Sequence, residues 1–284
     1  MNLAILANIH KEGVRTILPD FLALLGEDKS FTAVLDFELR QVFDRTCSYA
    51  PVPSLFEGKD MIVSFGGDGT ILNTARVSEG LGIPILGVNL GKVGFLAELS
   101  PEEIPMIPGR LKRGEYEILE RMAFTAECFG RRYFALNDIV LDRGKNTRIL
   151  NFTVTVDDNY AGEFTADGLI VSTPTGSTAH SMAAGGPLVM PGCRVAILTP
   201  ICPHSLTIRP MIIDGSRALR IGVTEGLARM AVDGQSFVDI PPGNEVAIRS
   251  AEKPVRIARF RDRTYFDILH TRLRWGVSLK MRNA

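Results

Sequence analysis

Short apolar segments alternate with amphipathic ones over the first hundred residues. The apolar runs lie at residues 2–7, 31–36, 61–65 and 83–89. Each is bounded by glycine, proline or polar residues, which is typical of buried strands. Apolar residues recur at helical spacing over residues 14–26, and a second helix is predicted over residues 70–80. This alternation predicts a doubly wound, Rossmann-like α/β domain over residues 1–100, with both faces of its sheet covered.

The pattern changes after residue 100. Residues 100–116 are interpreted as a helical linker, and short β-type runs broken by turn residues follow it. These runs lie at 121–129, 131–143, 151–174, 194–201, 217–223, 229–235 and 244–251. Strands in succession predict an all-β domain over residues 101–255, interrupted only by a loop and short helix at 175–186. Helical spacing returns in the tail, residues 256–284, which we expect to pack on the first domain.

Composition narrows the class of protein. The chain has 284 residues, enough for two domains. It carries 32 basic and 32 acidic residues, so no net charge favours nucleic acid or an anionic membrane. Its cysteines are Cys47, Cys128, Cys193 and Cys202, without metal-binding or disulfide spacing. With no signal-peptide pattern and no apolar run of membrane-spanning length, we expect a cytoplasmic protein.

The third apolar run ends in a glycine loop, residues 66–70 (Gly-Gly-Asp-Gly-Thr), before a helical pattern. Parallel sheets bind ligands at the carboxyl ends of their strands, and glycines there let the backbone approach a phosphate. Asp68 would repel the phosphate itself, which indicates a neighbouring hydroxyl whose proton must be held or removed. The alternative is a tight turn in which Asp68 only caps the helix.

A second polar segment, residues 172–178 (Ser-Thr-Pro-Thr-Gly-Ser-Thr), follows an apolar run and enters the short helix. It is dense in hydroxyl groups and backbone donors and has no charged side chain. That composition suits an anion or the polar edge of a base, held by N–H groups instead of lysines. An ordinary Ser/Thr-rich connection with a capped helix is the alternative.

Two further pairs of polar residues stand out. Asn137 and Asp138 are adjacent in a predicted strand and should face opposite sides, so a buried Asn137 would need a polar ligand. Asp233 and Gln235 lie in a predicted turn. The histidines, His10, His180, His204 and His270, lack metal-ligand spacing. We therefore predict no dedicated metal site in the protein.

Together these segments resemble the NAD kinase family. The matching residues are 66–70 (GGDGT), 136–138 (LND), 167–181 (DGLIVSTPTGSTAHS), 201–206 (ICPHSL), 233–235 (DGQ) and 265–276 (YFDILHTRLRWG). They occur in the family's order. GGDGT alone is shared with phosphofructokinases and diacylglycerol-type lipid kinases, whereas the longer run together with ICPHSL is far more specific.

The resemblance implies transfer of the γ-phosphoryl group of ATP to the 2′-hydroxyl of the adenosine ribose of NAD, giving NADP. Asp68 would be the proton acceptor, with Gly69 beside it. A β-sandwich-like second domain, a site in the cleft, and a homodimer or homotetramer are also implied. Mg²⁺ would arrive with ATP, bound mainly by its phosphates. The residues implied to bind the dinucleotide are Asn137, Asp138, Arg148, Thr165, Asp167, Thr178, Ala179, His180, Ser181, Met182, Ala183 and Gln235.

Three positions depart from the family's usual pattern. Asp138 stands where glutamate is common, His180 where tyrosine is usual, and Ala183 where serine is frequent. All three belong to the implied nucleoside pocket, so they bear on affinity and selectivity more than on the reaction. An imidazole stacked on the base would make NAD binding sensitive to pH. Thr165 stands where some relatives carry arginine, which leaves the use of NADH open.

Three other functions are weighed against this one. A lipid kinase would need an apolar or basic membrane-facing surface and usually a glycine-rich end to its first strand, of which residues 7–13 offer a poor version. A phosphofructokinase would need arginines that bind a sugar phosphate, and no such motifs are found. A non-catalytic dinucleotide sensor would keep the fold, but the intact Asp68 argues against it.

Overall fold

The computed structural model describes residues 1–43, 47–91, 94–97, 99–146 and 148–276. The chain forms two compact units. The first contains Met1–Leu119 and the tail from Arg256 onward, and the second is Glu120–Val255. Residues 101–119, assigned to the second domain from sequence, thus belong to the first unit. Residues 277–284, the end of the predicted tail, lie outside the described residues.

The first unit is built on a seven-stranded sheet. Its strands are β1 (Asn2–Ala7), β2 (Thr32–Asp36), β3 (Ser48–Ala50), β4 (Met61–Gly66), β5 (Ile85–Asn89), β6 (Tyr116–Arg121) and β19 (Val255–Phe260). The order is β3-β2-β1-β4-β5-β19-β6, and the strands from β3 to β19 pair in parallel. This confirms the Rossmann-like prediction. The chain order reverses between β1 and β4, the switch point at which such sheets bind ligands.

Among its described residues, the first unit also contains four α-helices. They are α1 (Val14–Gly26), α2 (Asp68–Val77), α3 (Ile107–Lys112) and α5 (Tyr265–Leu273), with 3₁₀ turns at Phe37–Gln41, Ser54–Phe56 and Pro101–Met106. The apolar face of α1 is buried, and its Phe21 packs edge-on against Phe65 of β4 with ring centroids 5.2 Å apart. Within the described residues, no helix is both long and apolar enough to span a membrane.

The second unit contains two six-stranded sheets in which every assigned pair is antiparallel. One has the order β11-β10-β15-β18-β7-β8 and the other β14-β13-β12-β9-β16-β17. The strands are β7 (Phe124–Cys128), β8 (Arg131–Ala135), β9 (Asp138–Asp142), β10 (Leu150–Val156), β11 (Asn159–Ala166), β12 (Gly168–Ser172), β13 (Val195–Ile201), β14 (Met211–Asp214), β15 (Leu219–Glu225), β16 (Ala228–Val232), β17 (Ser236–Ile240) and β18 (Asn244–Ser250).

Both sheets contribute to one apolar core. Phe124, Phe152 and Ile221 from the first sheet lie in the same buried cluster as Leu169 and Met230 from the second. Buried positions alternate with more exposed ones along β10, β15 and β16, as expected for a sandwich strand with one solvated face. The strands β9, β12 and β13 are instead buried over almost their whole length. The β-sandwich-like prediction is confirmed. The connection after β12 is a 3₁₀ turn, Thr175–Thr178, followed by the short helix α4 (His180–Ala183).

Candidate active site

The glycine loop at residues 66–70 joins a fully buried strand to a helix in the first unit. β4 ends at Gly66, and Gly67 occupies the N-cap of α2. The Gly67 N–H donates to Thr70 Oγ1 (3.4 Å), and the Thr70 N–H donates back to the Gly67 carbonyl (2.9 Å). A side chain on Gly66 would overlap that of Thr70, so glycine is needed there for space. The loop is therefore tight and closed by its own hydrogen bonds.

Buried hydroxyl groups fix the helix beneath this loop. Ser64 and Thr74 are both fully buried, and their hydroxyl oxygens are 2.9 Å apart. Thr74 also lies 2.9 Å from the Thr70 carbonyl oxygen, to which its hydroxyl donates. Because a buried hydroxyl without a partner is costly, this chain of bonds sets the position of α2 against β4. The first turn of α2 is thus held in one place.

The carboxylate of Asp68 does not cap its own helix. It accepts hydrogen bonds from the backbone N–H groups of Phe95 (Oδ2, 2.8 Å), Leu96 (Oδ1, 3.1 Å) and Ala97 (Oδ1, 3.0 Å). These three residues follow β5, the neighbour of β4 in the sheet. Asp68 is half-buried, and Gly69 beside it is exposed. The helix-cap interpretation of Asp68 is therefore wrong, because Gly67 holds that position.

A cavity of about 230 Å³ with polar and apolar lining lies in the second unit. Its lining residues are Asn137, Asp138, Val140, Asp142, Ala179, His180, Ala231, Asp233 and Gly234. Four predicted dinucleotide-binding residues are among them. Asn137 and Asp138 both line the cavity, contrary to the expectation that they face opposite sides. The reason is that β9 begins only at Asp138, while Asn137 lies in the bend before it.

Asp233 fixes the segment that enters β9. It lies in the turn between β16 and β17 with a φ of 50°. Its carboxylate accepts from the N–H groups of Leu136 (2.9 Å), Asn137 (2.8 Å) and Asp138 (3.1 Å). The Asp233 N–H donates in turn to the Asp138 carbonyl (3.0 Å). One aspartate side chain therefore sets the position of the two residues expected to bind the dinucleotide.

The hydroxyl-rich loop supports the same segment from its carbonyl side. Thr173 donates through its hydroxyl to the Leu136 carbonyl (2.6 Å) and through its N–H to the Asn137 carbonyl (2.8 Å). A side chain on Gly176 would overlap the backbone of Asn137. Ser177 donates through its hydroxyl to the Pro174 carbonyl (2.7 Å). The hydroxyl groups of Thr173 and Ser177 are thus bonded within the protein, whereas that of Thr175 is buried without a hydrogen-bond partner among the described residues.

Asp138 is the most perturbed acidic residue at the cavity. Its side chain is buried, and burial together with the charge of Asp233 raises the pKa of this carboxyl to about 7. Burial is the larger cause, because a carboxylate removed from water loses its hydration. A carboxyl group that titrates near neutral pH at a cavity wall is a feature of functional sites.

The remaining predicted residues lie at several places in the second unit. Thr165 on β11 donates to Asn151 Oδ1 (3.3 Å), and Asp167 lies 3.4 Å from an Arg143 guanidinium nitrogen. Ser181 is buried, with its hydroxyl 2.8 Å from that of Thr199. Thr178 and Met182 are half-buried, whereas Arg148, Ala183 and Gln235 are exposed.

Two contributors at these sites were missed from sequence. Asp233 was noticed only as a turn residue, although an Asp-Gly pair that follows a strand is a signal for a strained turn. Residues 95–97 act through their backbone N–H groups, which no side-chain pattern reveals. The glycines at 91 and 94, which follow the fourth apolar run, were the available sign of a second close backbone approach.

A doubly wound sheet with GGDGT at a strand end and a β-sandwich with a cavity are features of a kinase. The family model of the ATP-NAD kinase N-terminal domain matches residues 46–116, and that of the C-terminal domain matches residues 136–260. The chain is 40% identical to the NAD kinase of Geotalea daltonii over 81% of its length and 84% of that protein's. It is 41% identical to the NAD kinase of Heliobacterium modesticaldum, over 80% and 84%.

Solved structures agree with this. A yeast NADH kinase complexed with NADH matches with a TM-score of 0.89 and 25% identity, covering 98% of this chain and 89% of that one. An NAD kinase from Archaeoglobus fulgidus in complex with ATP matches with a TM-score of 0.76 and 28% identity, covering 96% and 99%. The chain belongs to the NAD kinase family.

Proposed function

We propose that the protein transfers the γ-phosphoryl group of ATP to the 2′-hydroxyl of the adenosine ribose of NAD, giving NADP. The observation that carries the proposal is the Asp68 carboxylate, which lies at the end of β4 beside the switch point of the sheet. Nucleotides bind at such switch points. The family and the ATP complex of its Archaeoglobus relative support the same reaction.

Asp68 is proposed to accept the proton of the attacking hydroxyl. Phosphoryl transfer passes through a loose transition state, so the proton leaves late and orientation of the hydroxyl matters as much as its removal. A carboxylate fixed by three backbone N–H groups cannot swing away from that hydroxyl. Fixed geometry of this kind lowers the entropy cost of reaching the transition state.

The cavity of the second unit is proposed to bind the nucleoside portion of the dinucleotide. Asn137, Asp138 and His180 supply polar and aromatic groups at its wall, which suit ribose hydroxyls and a base. We extend the same role to Gly69, Arg148, Thr165, Asp167, Thr178, Ala179, Ser181, Met182, Ala183 and Gln235. The yeast relative is an NADH kinase, so NADH is a second candidate acceptor.

Mg²⁺ is proposed to enter with ATP. No group of three or more histidine, cysteine or acidic side chains in the described residues is arranged to hold a metal ion. The donors present therefore fit an ion that is bound mainly by phosphates and water, which is how Mg²⁺ commonly binds in kinases. When bound, the ion neutralises charge on the triphosphate. Action in the cytoplasm and assembly into a homodimer or homotetramer stay predictions.

The reaction is tested with purified protein, ATP, Mg²⁺ and either NAD or NADH, with NADP(H) measured by an assay specific for the phosphorylated dinucleotide. Asp68→Asn is measured beside the wild type. Asp20→Asn, which makes the same chemical change at an exposed position of α1, is the matched control. We expect turnover by the wild type and the control only. Binding of NAD without turnover by the wild type would favour a sensor. The absence of both binding and turnover would contradict the proposal.

A further inference from the structure

The turn that holds Asp68 is itself held in place by a buried side chain. Asn89, at the end of β5, is almost fully buried, and its amide nitrogen donates to the Ala97 carbonyl (3.3 Å). The Gly94 N–H donates to the same carbonyl (3.1 Å). Both bonds hold the Ala97 end of the turn whose N–H groups donate to the Asp68 carboxylate.

Gly94 is the point of closest approach between this turn and Asp68. A methyl group built on Gly94 would overlap the carboxyl carbon and both oxygens of Asp68. The φ of Gly94 lies outside the left-handed region, so an L-residue meets no backbone strain there. Glycine is needed at 94 for the space that the carboxylate fills.

Gly91 lies on the same turn, but a side chain there would not overlap Asp68. Among the described residues, the nearest atom to a methyl group there would be Asn89 Oδ1 at 3.7 Å, which is an ordinary van der Waals contact. Its φ also lies outside the left-handed region, and alanine would keep the N–H that donates to Asn89 Oδ1 (2.7 Å). The two glycines therefore differ in whether a side chain would displace Asp68.

The two carboxylate oxygens of Asp68 accept different numbers of hydrogen bonds from the backbone. Oδ1 accepts two N–H groups, and Oδ2 accepts only that of Phe95 among the described residues. A carboxylate oxygen has two lone pairs. Oδ1 is thus fully used by the backbone, while Oδ2 keeps one position for another donor.

We propose that Gly94 is a positioning residue for phosphoryl transfer: its missing side chain lets the amides of Leu96 and Ala97 anchor Asp68 Oδ1, while Oδ2, which accepts the Phe95 N–H, keeps one position for the substrate hydroxyl. This inference rests on the proposed role of Asp68. Gly94 contacts no reacting atom in this scheme and acts only by placing the carboxylate.

The first test compares Gly94→Ala with Gly91→Ala in steady-state kinetics. A displacement of the carboxylate by about 1 Å should lower kcat by about 10²-fold. The KM for NAD should change by less than about threefold, because NAD is bound mainly by other residues. Gly91→Ala should retain wild-type kcat. Wild-type kcat in Gly94→Ala, with Asp68→Ala inactive, would overturn the positioning role and leave that of Asp68 intact.

The second test is a double-mutant cycle with Asp68→Ala, which removes the group that the new methyl would strike. If Gly94 acts only through Asp68, adding Gly94→Ala to Asp68→Ala should lower the residual turnover by less than about twofold. A further large loss would overturn the inference. Near-normal turnover of Asp68→Ala alone would overturn the proposed role of Asp68 and this inference with it.

Folding is measured in the same series by thermal melting. Should Gly94→Ala unfold, the double variant decides the matter, because Asp68→Ala relieves the overlap. Recovery of folding in the double variant would support the inference. A double variant as unfolded as the single one would contradict it, since Gly94 would then have a structural role independent of Asp68.

Discussion

Two aspartates, one in each unit, are bound by the same hydrogen-bond pattern and serve opposite purposes. Asp68 and Asp233 each accept three N–H groups from consecutive residues. The N–H groups around Asp68 belong to a turn that is fixed by Asn89, so the backbone holds the side chain. Asp233 instead holds residues 136–138, the entry to β9, so the side chain holds the backbone.

The surroundings of Asp68 and Asp233 also differ. Asp68 lies at the start of a helix that is anchored by buried hydroxyl groups. Asp233 occupies a left-handed turn. Its charge contributes to raising the pKa of the neighbouring Asp138 carboxyl. In the proposed reaction, the first arrangement presents a carboxylate to the ligand, whereas the second uses a carboxylate to shape a cavity. Substitutions should therefore separate loss of turnover from weaker binding of NAD.

The largest expected effect is on turnover at Asp68. Asp68→Asn should lower kcat by about 10²–10⁴-fold, the range for loss of a general acid–base group. The melting temperature should fall by several degrees, because the amide oxygen can still accept from Leu96 and Ala97 while the amide NH₂ faces the Phe95 N–H. Steady-state kinetics and differential scanning fluorimetry measure the two quantities. A variant with near-normal kcat would contradict the difference we draw between the two aspartates.

A smaller effect on turnover and a similar one on stability are expected at Asp233. Asp233→Asn leaves an amide NH₂ facing N–H donors that a carboxylate satisfied, at a cost of about 1–3 kcal/mol of stability. The melting temperature should fall by several degrees, and loosening of Asn137 should raise the KM for NAD by about tenfold. We expect kcat to stay within about threefold. Asp239→Asn, an exposed change on β17, is the control.

An outcome in which Asp233→Asn loses kcat and keeps its melting temperature would reverse the comparison. That result would mean that Asp233, and not only Asp68, touches the reacting groups.

Much of the fold could be predicted because apolar spacing and secondary structure agree locally. The helix α1 buries Val14, Leu18, Phe21 and Leu25, four of the positions that predicted it. β6 was missed and its residues were partly assigned to a helical linker. It lies at the edge of the sheet and is only half-buried over most of its length, so it lacks a continuous apolar run.

The site could be predicted less completely, for a physical reason. Asp68 is visible in sequence because its side chain and flanking glycines form a pattern. Phe95, Leu96 and Ala97 act through backbone N–H groups, which nearly all residue types have. Their role therefore cannot be predicted from residue type. The shared placement of Asn137 and Asp138 on one cavity depends on where β9 begins, and strand ends are the least certain part of such a prediction.

The last effect we expect is a pH dependence of stability that arises from Asp138 in the second unit. The pKa of the Asp138 carboxyl is raised to about 7 in the folded protein, whereas an aspartate in an unfolded chain titrates near about 4. Between these values the folded chain binds one more proton than the unfolded chain. The free energy of unfolding must then fall as pH rises through this window, by at most about 1.4 kcal/mol per pH unit.

Asp138→Asn should abolish this contribution, because an amide does not titrate. The difference in stability between wild type and variant, measured by denaturant unfolding from pH 5 to 8, should shrink up to about pH 7 and then level off. His180→Tyr removes the imidazole from the same cavity and serves as the control, which should leave the window unchanged. Asp233→Asn removes the second cause of the shift, so it should move the upper limit of the window to lower pH. Parallel stability profiles of wild type and Asp138→Asn would show instead that this carboxyl is already charged across the range, and the contrast between the units would then rest on geometry alone.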